Sequence, residues 1–167
     1  MVVGPRNDSE WLYDNTGSAM NELTTESNAA IVARLSAIAR VVPAMDLISA
    51  QIMTFERSAQ EITMSFQASP AMCHSKVIVQ GGFITAMVDS AMAYACMGCF
   101  EAPIAVPTLE IKVSFLNAGK AGAMIAKSRP VRLGKSVGFL AAELYQDDVL
   151  IATSSSTVRL IHLPPKN

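Results

Sequence analysis

The sequence predicts an α+β domain in which an antiparallel sheet wraps around one long central helix, with an extra helix on its N-terminal side. Three observations point there. Residues 82–97 are apolar on nearly every face and rich in alanine and methionine, which reads as a helix buried on most sides. Residues 61–67 and 107–116 alternate apolar and polar side chains, the period of strands with one covered face. The strand-like segments follow one another through short turns, the order of an antiparallel sheet.

In chain order, residues 1–18 carry turn formers (Gly4, Pro5, Asn7, Asp8, Asp14, Asn15, Gly17) and read as a flexible arm. Residues 19–44 read as an amphipathic helix: Ile31, Leu35, Ile38 and Val42 recur at spacings of three and four, and Pro43 stops the run. A membrane-surface helix is the lesser alternative, because only Arg34 and Arg40 are basic there. The main domain covers 45–163. It opens with strands at 47–55 and 61–67, joined by the polar turn 56–60. After the central helix come strands at 107–116, 121–133, 136–145 and 149–163, with turns at 117–120, Gly134-Lys135 and 146–148; Pro164-Pro165 stops the last.

Composition narrows the function. The 167 residues suit one domain with an appendage. At 51% hydrophobic and 16% charged, the chain is apolar, yet no stretch has the roughly 18 apolar residues of a membrane span. A subunit interface is the simplest place for the excess apolar surface. The net charge of −1 argues against nucleic acid. The N-terminus lacks the pattern of a secretory signal, and an odd count of three cysteines in apolar context fits a reducing, cytoplasmic setting.

Asp89 is the anomaly. It is the only charged residue between Lys76 and Glu101, in the middle of the apolar helix. A carboxylate there must be paired, protonated or placed at an accessible site, because burying it alone is costly. It is either a structural group bonded to a neighbouring turn or a candidate catalytic group. Gly81-Gly82 stands at the expected start of the same helix. Unpaired N–H groups and partial positive charge collect there, and glycine lets a ligand carbonyl approach. The plainer reading is a tight turn. Gly81 and Asp89 are eight residues apart, about 12 Å along a helix, so they cannot flank one carbonyl carbon within one copy. If both serve one substrate, the site lies between two subunits.

The run Gln80-Gly81-Gly82-Phe83-Ile84-Thr85-Ala86-Met87-Val88-Asp89, followed by Thr108-Leu109-Glu110-Ile111-Lys112-Val113-Ser114-Phe115-Leu116 and Leu133-Gly134-Lys135-Ser136, resembles the PaaI-type branch of the hotdog-fold acyl-CoA thioesterases over roughly residues 45–163. The resemblance implies a hotdog fold and hydrolysis of an acyl-CoA. It implies that the Gly81 amide polarises the thioester carbonyl and that Asp89 activates water or attacks directly. Thr108 is implied to help place that water, and Lys135, with Ser136 and Gly82, to bind substrate near the coenzyme A phosphates and thioester. It further implies a homodimer or homotetramer with sites between subunits, and no cofactor. The sequence departs from the family at two positions: Gln80 stands for the usual histidine and His74 for the usual asparagine. Gln80 still hydrogen-bonds but cannot titrate; His74 offers a polar contact or a proton, unless it is a plain loop residue.

Other constellations are weaker. Cys73, His74, Cys96 and Cys99 converge poorly as a zinc set, because Cys73 and His74 are adjacent and the other two lie in an apolar helix end. Asp89 and Ser90 point about 100° apart on a helix, against a triad. Two alternatives to hydrolysis stay open: a non-catalytic acyl-CoA-binding module that lost turnover through Gln80, and an enoyl-CoA hydratase, which needs a helix histidine that this chain lacks.

Overall fold

A computed structural model describes residues 23–163; the arm expected over 1–18 and the first residues of the expected N-terminal helix lie outside them. Helix α1 runs Asn28–Ala39. It begins later than residue 19 because Ser27 caps it, its Oγ accepting from the Ala30 N–H at 3.3 Å. Ahead of the cap, Leu23 bridges Phe100 and the Thr24 N–H donates to the Cys99 carbonyl at 2.8 Å. The chain therefore enters the domain pinned beside the far end of the central helix. Ile31 and Leu35 are fully buried, as their spacing predicts.

Pro43 does more than stop a helix. The first helix has already ended at Ala39, and Pro43 opens a short second one, α2 (Pro43–Leu47). Its fixed φ and missing N–H suit a first helical turn. The strand expected from residue 47 consequently starts later, as β1 (Gln51–Glu56). Strand β2 (Glu61–Ala68) follows, with Ile62, Met64 and Phe66 turned into the core. A single 3-10 turn at Pro70–Met72 leads to the central helix α3 (Gly81–Gly98).

After α3 come β3 (Ile104–Ala105), β4 (Thr108–Phe115), β5 (Gly122–Leu133), β6 (Val137–Gln146), β7 (Val149–Arg159) and β8 (Ile161–His162). The strand expected over 149–163 is broken at Leu160, and its last piece leaves the main sheet to pair with β3. The main sheet has the order β1-β2-β5-β6-β7-β4, with antiparallel neighbours throughout.

Helix α3 lies against one face of this sheet. Ile84, Met87, Val88, Ala91, Met92, Ala95 and Cys96 are buried there, and each large side chain among them contributes roughly 1.5–3 kcal/mol. The opposite face is not covered. Gly82, Phe83, Ala86, Asp89, Ser90, Ala93 and Met97 are open or half-open. The expectation of burial on most sides is thus corrected: one copy of the chain covers one side of a helix that is apolar on both. No helix among the described residues is long and apolar enough to cross a membrane.

The sheet fits the helix closely at Gly98, where a Cβ would overlap the ring of the buried Phe55. Gly98→Ala is expected to cost about 1–3 kcal/mol by overpacking despite the better helix propensity of alanine. A fall in the urea midpoint at unchanged slope would show it; an unchanged midpoint would mean that the ring moves freely.

Candidate active site

The start of α3 is fixed by its surroundings. The Val79 N–H donates to the Gly119 carbonyl at 2.9 Å and the Gln80 N–H to the Met72 carbonyl at 2.9 Å. Gln80 is the N-cap residue, with φ −66° and ψ 135°. Its side-chain Oε1 accepts from the Gly82 N–H at 2.8 Å, and its backbone carbonyl accepts from the Phe83 N–H at 3.0 Å. The Gly81 N–H, first of the helix, has no acceptor among the described residues. Of the first three amides, two are occupied and one is open at the positive end of a helix of 18 residues.

Two turns further on, Asp89 sits half-buried on the uncovered face of α3. The Thr108 hydroxyl donates to its Oδ1 at 2.9 Å. Thr108 opens β4 and pairs with Val158, which turns its side chain toward the helix. At the other end of β4, Phe115 pairs with Ala152 on the same face, and its ring lies over Gly81: a Cβ added to Gly81 would stand 3.1 Å from the ring's Cζ. Edge strand β4 therefore touches the carboxylate at one end and lies against Gly81 at the other.

The remaining predicted residues do not join this pair. His74 is exposed on the loop before α3, its N–H bonded to the Ile78 carbonyl at 3.1 Å, and no hydrogen bond links it to Asp89 or Gly81. Lys135 and Ser136 form the β5–β6 turn. The cross-strand row Leu133–Gly138–Val158–Thr108 places that turn at the Asp89 end of the sheet, three strand spacings or about 14 Å away. The Gly82 amide, offered as a substrate contact, is taken by Gln80. Ser90 turns its hydroxyl back to the Ala86 carbonyl at 2.8 Å, which removes it from any triad with Asp89. Beside the helix start runs an apolar groove of about 220 Å³, walled by Leu47 of α2, the following Ile48, and Phe83 and Ala86 from α3. Phe115 escaped the sequence reading, because period-two alternation marks it as one more apolar strand residue.

Residues 78–152, the stretch that carries α3, Asp89, β4 and the β5–β6 turn, match the family model of the thioesterase superfamily. Over that stretch the chain is similar to the thioesterase superfamily. Its fold is the hotdog, and the activity the family carries is thioester hydrolysis. A phenylacetic acid degradation-related protein of Ralstonia eutropha JMP134 is similar at 29% identity over 75% of this chain and 98% of that one, with a TM-score of 0.69. The PaaI protein of Escherichia coli, from the phenylacetic acid degradation operon, shares the fold at 19% identity over 81% and 96%, with a TM-score of 0.71. A thioesterase family protein of Silicibacter pomeroyi does so at 24% identity over 81% and 98%, with a TM-score of 0.68. No curated protein matches the chain.

Cys96 and Cys99 are poor candidates for a nucleophile. Burial pushes the Cys96 thiol up to about 12, and burial, followed by the neighbouring Cys96, pushes Cys99 higher still. Among the described residues no three His, Cys, Asp or Glu side chains gather as a metal site. A thiol reagent at pH 8 is expected to leave Cys96 and Cys99 untouched in the folded protein and to label all three free cysteines in denaturant. Rapid labelling of more than one thiol per folded chain would contradict the burial.

Proposed function

We propose that the protein hydrolyses an acyl-CoA thioester to the free acid and coenzyme A, at sites built jointly by two copies of the chain. The Gly81 amide of one subunit holds the thioester carbonyl oxygen. Asp89 of the facing subunit takes a proton from water as the water oxygen attacks the carbonyl carbon. The tetrahedral intermediate then breaks its C–S bond, and the coenzyme A thiolate leaves and takes up the proton. The alternative course has Asp89 attack directly, forming a mixed anhydride that water opens. Thr108 acts on the carboxylate: by donating to Oδ1 it leaves Oδ2 for the water. Gln80 spends its amide oxygen on the helix cap and keeps its Nε2 to donate to the thioester. His74 is the second polar group on the entrance loop. Lys135 and Ser136 meet the coenzyme A phosphates at the Asp89 end of the sheet.

One observation carries this reading. Strand β4 is a sheet edge with Asp89 at its first residue and Gly81 at its last. Two copies related by a two-fold axis pair such edges antiparallel. That pairing sets the Thr108–Asp89 end of one strand beside the Phe115–Gly81 end of the other, and removes the 12 Å problem. It also covers Leu109, otherwise 61% exposed, and the open face of α3. A homodimer is the minimum assembly, and a homotetramer pairs two such dimers. The three unpaired cysteines accord with a cytoplasmic setting.

Release of free thiol from a panel of short, medium, long and aromatic acyl-CoAs tests the reading. Asp89→Asn is expected to lose about 10²-fold or more in kcat, and Thr108→Val about 10-fold, by removing one hydrogen bond to the charged group. Binding of acyl-CoA by the wild type without any thiol release would replace this reading with the non-catalytic one and point to Gln80, which cannot titrate, as the cause.

A further inference from the structure

Gly81 takes no positive φ, so its backbone does not require glycine; a Cβ there would press on the Phe115 ring. The ring's Cζ stands 3.1 Å and its Cε1 3.3 Å from where a Cβ would be, which is tight packing against the Gly81 backbone. The backbone that carries the ring is held at the end of β4. The Leu116 and Asn117 N–H groups both donate to the Ile151 carbonyl, at 2.8 and 3.2 Å. The ring packs beside Gly81, whose amide has no acceptor among the described residues, and Phe115 itself is 53% exposed.

We propose that Phe115 is a positioning residue for the reaction: its ring walls the Gly81 amide off from bulk water, so that the N–H meets a thioester oxygen in an apolar setting. This rests on the thioesterase reading of the site. A hydrogen bond to developing negative charge gains strength where water is excluded. The benefit is larger for the charged tetrahedral intermediate than for the neutral thioester, so removing the wall lowers kcat and leaves KM nearly unchanged.

The test compares the wild type with Phe115→Leu, too short to reach Gly81, and Phe115→Met, which keeps an apolar reach, on an acyl-CoA the wild type turns over. Both replacements suit a strand edge, and sedimentation confirms the assembly of each. Phe115→Leu is expected to lose about 10-fold in kcat with KM within about threefold, and Phe115→Met to stay within about threefold of wild type. The inference fails if Phe115→Leu keeps the wild-type kcat, if its loss lies in KM, or if Phe115→Met falls as far. In each case an active wild type and a dead Asp89→Asn leave the thioesterase reading standing. A wild type that turns over no acyl-CoA removes both.

Discussion

Asp89 is a charge on a helix whose neighbours are all uncharged, and the single hydrogen bond from Thr108 holds it at the rim of the covered face. A carboxylate on the sheet-facing side of α3 would sit among Met87, Val88, Ala91 and Met92, all at 0% exposure, where burying its charge costs several kcal/mol. On the uncovered face it stays wet in the single chain and meets its partner group only when another surface arrives. In the proposed reaction this one residue calls for both an edge strand carrying a hydroxyl and a second apolar surface to complete the site. The sheet order supplies the first by leaving β4 outermost.

Rigidity comes from elsewhere. The start of α3 is set by bonds to Met72 and Gly119 and by the Gln80 side chain, none of which involves Asp89. The two halves of the chemistry are thus held by separate networks, the amide by the entry loop and the carboxylate by the edge strand. β4 runs between them and is pinned at its Phe115 end by Ile151. In the proposed dimer such a site would be preorganised within each copy, and pairing would only bring finished halves together.

Much of this was legible in the sequence, for identifiable reasons. The alternation of Ile62, Met64 and Phe66 is buried as read, because period two is a local property of strands. Asp89 stood out because no other charge lies within eleven residues on either side, and Gly81 stood out through its spacing from Asp89. The misreadings share a cause. Pro43 both forbids a preceding helix residue and favours a following one, and only the structure shows that α1 had already ended at Ala39. Ser27 was a readable cap signal, and the apolar spacing that marked the helix, Ile31 to Val42, lies wholly after it. The coverage of α3 was overread, since hydropathy records which faces are apolar and not which copy covers them. Phe115 was beyond reach: nothing local separates it from Leu109, and its contact with Gly81 depends on register across the whole fold.

The shared site is tested most directly by mixing two inactive variants. Asp89→Asn removes the carboxylate. Gly81→Pro removes the amide N–H while suiting the first helical position, after a Gln80 whose φ of −66° and ψ of 135° already match a residue before proline. Each variant is purified alone, the two are unfolded and refolded together, and thiol release is measured. A site between subunits predicts that mixed dimers regain one intact site, so activity returns to roughly a quarter of wild type under random pairing. Activity that stays at the level of the separate variants, in a mixture shown to contain mixed dimers, would mean that Gly81 and Asp89 do not act on one thioester across an interface.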